Sequence, residues 1–239
     1  MSREVYIRVL IFIASLLFFY FFVQKPEGRN YPEGVVKKPE VITLIDDVPV
    51  SRLVDQNLNG VVPTYYENGR LQTEISYLHG IRHGYTKIYY PDGRLHIDTN
   101  YVQGKPDGVS KEYYPNGVLK EEMAYENGNQ SGISVSYYEN GKQKQVANYL
   151  DGEIHGSFKT FYSSGDLELE ANYVSGILHG NRNIFYPSGL VRIRENFVEN
   201  KLMGDRYEYY DNNTVSIREY YQNGKRISRS LYGRSGAKL

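Results

Sequence analysis

Polar and apolar positions alternate with a period of two over short stretches, and those stretches return every 24 residues. Leu71, Thr73, Ile75 and Tyr77 fall on one side of such a stretch, with Arg70, Gln72, Glu74 and Ser76 on the other. Leu95, Ile97, Thr99, Tyr101 and Leu167, Leu169, Ala171, Tyr173 repeat it. Period two marks strands with one packed face. Glycine punctuates them at a fixed column, Gly69, Gly93, Gly117, Gly141, Gly165 and Gly189, where Asn213 follows in the same place. Two further columns run from Gly80 to Gly224 (Asn200 included) and from Gly60 to Gly204. A spacing unbroken over seven units denotes one supersecondary element, copied and stacked.

Within residues 84–108, the pattern predicts a strand over Tyr85 to Tyr90, a turn at Pro91-Asp92-Gly93, and a second strand over Arg94 to Tyr101. Proline presets the first turn position and glycine supplies a left-handed third. A two-residue turn would put Pro91, Pro115 and Pro187 in ladder positions, where the missing N–H loses a bond. A three-residue turn with a glycine bulge is therefore expected, pairing Tyr90 with Arg94 and Tyr89 with Leu95. On that register the first aromatic of each doublet (Tyr65, Tyr89, Tyr113, Tyr137, Phe161, Phe185, Tyr209) shares the apolar face with the Tyr77 column. The second aromatic is always tyrosine: Tyr66, Tyr90, Tyr114, Tyr138, Tyr162, Tyr186 and Tyr210. A hydroxyl never given up points to a partner contact, or to a ladder shielding the strands.

Seven such hairpins make an all-β, elongated single sheet of fourteen strands, ~65 Å long at ~4.8 Å per strand. A sheet so thin buries little per residue, and a surface of that size is a natural place for a partner. The array is assigned to residues 61–228, with 42–60 as capping strands and a degenerate half-repeat, and 229–239 as a basic flexible tail.

The amino terminus differs. Val9 to Val23 is apolar except for Ser15, and a start at Val5 gives about 28 Å of helix, close to a bilayer core. No small residues mark a cleavage site before Gln24, so residues 1–23 are expected to be an uncleaved signal-anchor helix. Residues 24–41 carry Pro26, Pro32 and Pro39 among charges and glycines, the composition of a tether. The expected location is the inner membrane, single-pass, with the repeats outside the cytoplasm.

Composition adds exclusions. There is no cysteine, so neither disulfides nor thiolate metal sites form. The 28 basic residues balance 28 acidic ones, and no global field favours nucleic acid. Of 25 tyrosines, eighteen stand in three repeat columns. No catalytic, nucleotide-binding or metal motif occurs. His83, His155 and His179 share a column but lie two strands apart in adjacent units, about 10 Å, too far for one metal ion. Carboxylates such as Glu168 and Glu170 read as a solvated face. No cofactor, metal or enzymatic activity is expected.

The recurrent G-x-x-x-x-[YF]-Y-x-x-G-x-L-x-x-x-x-x-Y-x-x-G-x-x-x-G pattern resembles the bacterial variant of the MORN repeat, the YwqK-like antitoxin group. It is fullest around Tyr89-Tyr90-Pro91-Asp92-Gly93 and Tyr113-Tyr114-Pro115-Asn116-Gly117, and departs at Phe197, Asn200 and Asn213. The resemblance implies a hairpin array used in protein or membrane contacts. It adds the expectation of an immunity or antitoxin factor that occludes a toxic protein partner, with an envelope scaffold or a membrane-docking array that organises other proteins or lipid as the alternative.

Overall fold

The computed structural model describes residues 58–239. The expected anchor helix (1–23), the tether (24–41) and the capping strands over 42–57 lie outside the described residues. What is described is one antiparallel sheet of eighteen strands and no helix. Single-residue interruptions at Asp107, Ser131 and Met203 divide three strands in two, so the ladder has fifteen members.

Seven hairpins follow one another. Gly60–Tyr65 pairs with Leu71–Leu78, Ile81–Tyr89 with Leu95–Val102, and Gly108–Tyr113 with Leu119–Glu126. Gly132–Tyr137 pairs with Gln143–Leu150, and Glu153–Phe161 with Leu167–Val174. Ile177–Phe185 pairs with Val191–Val198, and Gly204–Tyr209 with Val215–Gln222. Each hairpin also pairs with the next, so the chain is a plain meander.

Two turn types alternate along it. At the glycine column the three-residue turn forms: Tyr90 N–H donates to the Arg94 carbonyl at 2.8 Å, and Gly93 N–H to the Tyr90 carbonyl at 2.8 Å. Gly93 has φ +93, left-handed backbone that an L side chain resists. The returns between hairpins are two-residue turns with both residues left-handed, such as Gln103 (φ 51) and Gly104 (φ 79). Asn200 (φ 62) and Asn213 (φ 64) keep the same geometry where glycine is replaced.

The expected facing of the aromatic doublet is corrected. Tyr89 does stand opposite Leu95, but Ile88 stands opposite Ile97, so His96 is an extra residue in a bulge. That bulge returns His96 to the face of Ile88 and leaves Tyr89 on the other. Accordingly the Tyr89 hydroxyl donates to Glu74 Oε2 at 2.6 Å, on the side away from Thr73 and Ile75.

Residues 229–239 are not a flexible tail. Lys225–Leu231 is a strand paired with Val215–Gln222. Gly233 N–H then donates to the Ala237 carbonyl at 2.8 Å and Gly236 N–H to Gly233 at 2.9 Å, repeating the three-residue turn as the start of an eighth hairpin.

Candidate functional site

Alternation gives the sheet two faces with different work to do. On one face a row of opposed residues crosses the second to seventh hairpins: Thr86 and Thr99, Ser110 and Met123, Ser134 and Ala147, Phe158 and Ala171, Arg182 and Glu195, Arg206 and Glu219. Among the described residues every buried side chain belongs to this packed face, Ala147 (0% exposed) and Ala171 (2%) most of all. Leu178 and Phe197 pack against Ala171, with Leu169, Tyr173 and Leu202 around them.

The all-tyrosine column lies on the same face and binds hairpin to hairpin. Each hydroxyl donates to the backbone carbonyl of the first aromatic in the next hairpin. Tyr66 reaches Tyr89 (2.5 Å), Tyr90 reaches Tyr113 (2.6 Å) and Tyr114 reaches Tyr137 (2.8 Å). Tyr138 reaches Phe161, Tyr162 reaches Phe185 and Tyr186 reaches Tyr209, all at 2.7 Å. Tyr210 closes the series on Tyr232 at 3.1 Å. Phenylalanine cannot make this bond, which accounts for a hydroxyl kept in every unit. Burial, with nearby Glu112 second, raises the Tyr90 pKa, so the phenol stays a donor at neutral pH. Turns are tied likewise: Asn68 Nδ2 donates to the Pro91 carbonyl (3.2 Å), Asn140 to Ser163 (2.9 Å) and Asn212 to Arg234 (3.2 Å).

The central row changes character along the array. Its early members carry hydroxyls, with Thr99 and Ser110 bonded at 2.6 Å. Its last members form an ion ladder. Arg182 reaches Glu195 at 2.6 Å, Arg206 reaches Glu195 (2.9 Å) and Glu219 (3.2 Å), and Glu219 also meets Arg226 (2.9 Å) and Arg229 (3.5 Å). Glu195 and Glu219 are each 5% exposed. Burial pushes the Glu219 carboxyl up, but hydrogen bonds from Arg226 and Tyr221 and the Arg206 charge outweigh it and the pKa is lowered. Sequence reasoning missed this ladder because its columns hold Thr86 and Thr99 in an earlier unit. The later switch to Arg and Glu at the same spacing is the signal that could have found it.

A second polar cluster joins the second and third hairpins. Glu112 stands directly opposite Glu121, accepts from Lys120 Nζ at 2.8 Å and lies 3.2 Å from His96 Nε2, whose ring stacks on Tyr90 at 4.2 Å. The His96 bond, against desolvation, lowers the Glu112 pKa. Burial and then the Glu112 charge raise that of Glu121.

The other face is open. Val61, Tyr85, Val109 and Ile133 occupy one column in four successive hairpins and are 40–64% exposed. Beside them runs a charged row in which Lys111 pairs with Glu122 at 3.2 Å. In the next three hairpins the column becomes Ser157, Asn181 and Asp205. There Ser157, Glu170, Asn172, Asn181 and Asn183 line a shallow polar depression.

His83, His155 and His179 are not drawn together; no group able to hold a metal ion occurs among the described residues. His155 Nδ1 instead accepts from Ser175 N–H at 3.4 Å. Two basic residues of the expected free tail form ion pairs, Arg229 with Glu219 at 3.5 Å and Arg234 with Asp211 at 2.7 Å.

The family model described as MORN repeat variant matches residues 58–79, 82–103, 106–127, 130–151 and 154–175. These five segments carry MORN-variant repeats and support a MORN-repeat family for this chain. The match ends at residue 175, whereas the hairpins continue in the same geometry to Gln222. No curated protein matches the chain.

Proposed function

We propose that this chain is a non-enzymatic, protein-binding repeat protein, held at a membrane by residues 1–23, that covers a toxin or effector as an immunity or antitoxin factor. One observation carries the binding part: four consecutive hairpins present Val61, Tyr85, Val109 and Ile133 to solvent in a single column. Equivalent residues stand two strands apart, so the column runs about 29 Å, and an exposed apolar patch of that extent suits a protein contact. The contact is placed on this face because the hydroxyls of the Tyr66–Tyr210 column are engaged inside the array. The apolar run Val9 to Val23 motivates the anchor, the MORN-variant match supports a binding role, and the antitoxin role rests on the sequence resemblance to the YwqK-like group alone.

The test is genetic and biochemical together. Deleting the gene alone is expected to be harmful, and deleting it with a neighbouring toxin gene to be tolerated. Val109→Asp with Ile133→Asp is expected to abolish both rescue and co-purification of the toxin. Harmless deletion with several co-purifying proteins would point to an envelope scaffold instead.

A further inference from the structure

One row on the open face runs unbroken through the ladder, because each register pairs its members in turn. Across its middle stand Lys111, Glu122, Val135, Val146, Lys159 and Glu170, one to each successive ladder strand. Charge alternates up to the two valines and resumes beyond them with the sign inverted. Glu122 stands one strand before the valines and Lys159 one strand after. Lys111 stands two before and Glu170 two after. Alternation by itself serves neighbouring strands, as in the Lys111–Glu122 pair at 3.2 Å. The inversion does nothing within one sheet, where Glu122 and Lys159 are three strands apart, ~14 Å.

Two such faces laid together do use it. A two-fold axis parallel to the strands, midway between Val135 and Val146, sets Val135 against Val146 of a second copy. The same rotation sets Glu122 against Lys159 and Lys111 against Glu170, each contact occurring twice. The Lys111 and Glu122 side chains are 43% and 39% exposed, within reach of such a neighbour. Glu170 lines the shallow polar depression, where Asn183 Nδ2 donates to its Oε1 at 2.9 Å. Its other oxygen remains for a cation, and the depression admits an ammonium. We infer that this chain forms a face-to-face two-fold dimer, centred on Val135 and Val146, with Glu122–Lys159 and Lys111–Glu170 ion pairs between copies fixing its register.

Further out, Asp98 would face Asn183 and Lys87 would face Arg194. Each sheet twists, so stacked copies meet closely around the middle strands and part toward the ends, which keeps Lys87 and Arg194 clear of each other. Ile133, 64% exposed and two residues along the strand from Val135, falls inside the contact. The dimer goes beyond the toxin-binding reading and does not depend on it. Because Ile133 belongs to both contacts, a protein partner on this face and a second copy exclude one another.

The experiment uses the full chain in density-matched detergent micelles, with sedimentation equilibrium for mass and carbodiimide cross-linking read by peptide mass spectrometry. A dimer is expected, with an amide cross-link between Lys111 and Glu170. These residues lie five strands apart in one sheet, ~24 Å, so the cross-link joins two chains. Glu122→Lys and Lys159→Glu are each expected to weaken association about tenfold or more, since like charges then meet twice. Combining the two restores opposite charges across the axis, and association is expected to return. Should the variants fold poorly, the cross-link on the native chain still decides. A monomeric chain would overturn the inference and leave the face to a different protein. A dimer without the Lys111–Glu170 cross-link, or a folded double variant that fails to associate, would overturn it as well. The genetic test of immunity uses neither measurement, so either reading can fail alone.

Discussion

Arg206 lies between two buried carboxylates, its Nε 2.9 Å from Glu195 and its Nη1 3.2 Å from Glu219. Each acid comes from a different hairpin, so one guanidinium joins three consecutive strands of the packed face. Removing one member of a buried pair strands its partners' charge, at a cost of about 3–5 kcal/mol. Glu219→Ala leaves Arg206, Arg226 and Arg229 facing one another, and a loss of that size is expected in denaturant unfolding. Hydrogen exchange should place the loosening from residue 177 onward, with the hairpins before residue 150 unchanged.

Acid should act on the two carboxylate clusters with opposite sign. The Glu219 pKa is lowered in the folded chain. Its stabilising contribution is complete above the unfolded value near 4.5 and fades as pH falls through the folded one. The Glu121 pKa is raised, so its ionised form is a burden that grows as pH climbs past 4.5 through the folded value. Glu121→Gln is expected to stabilise at pH 7 by about 0.5 kcal/mol, the scale of a cross-strand pair. The gain should vanish in acid, where Glu121 is itself neutral. A pH series of melting temperatures checks both.

Glycines of two columns should differ in what they tolerate. An added Cβ at Gly93 meets nothing within 4 Å, so Gly93→Ala bears only the left-handed backbone, about 1 kcal/mol. At Gly84, φ +89, the added atom would lie 3.3 Å from Ser76 Cβ, so Gly84→Ala is expected to cost more than Gly93→Ala. Paired chemical denaturation curves give the difference.

Much of this was legible in the chain. Pro91-Asp92-Gly93 dictates its turn, since proline, aspartate and glycine each suit one backbone position only, and the 24-residue spacing forces every hairpin to repeat it. The side of the sheet was not legible for Tyr89. A bulge at His96 inverts the relation between the doublet and the following strand, and nothing in the identity of His96 announces it. The left-handed Gln103 and Glu199 escaped for the same reason: the neighbouring Gly104 or Asn200 signals a turn, while the first residue is held there by the strands it joins. The retained tyrosine hydroxyls pointed in the sequence to a partner contact or a shielding ladder; the acceptor each one meets is a carbonyl 22 or 23 residues away in the sequence, which only the stacking brings near.

The open face should separate binding from stability. Val109→Ser and Ile133→Ser remove exposed side chains, and each is expected to shift unfolding by less than about 0.5 kcal/mol. Partner binding should fall markedly with both changed, as read by co-purification of the partner.

The most direct test of the two-faced array is the unfolding free energy of a Tyr114→Phe, Tyr138→Phe, Tyr162→Phe chain, which keeps the rings and deletes three inter-hairpin hydrogen bonds. A loss of about 1 kcal/mol per bond, with partner binding retained by the folded protein, is the expected result. Unchanged stability together with lost binding would contradict it, and would return the tyrosine column to the partner.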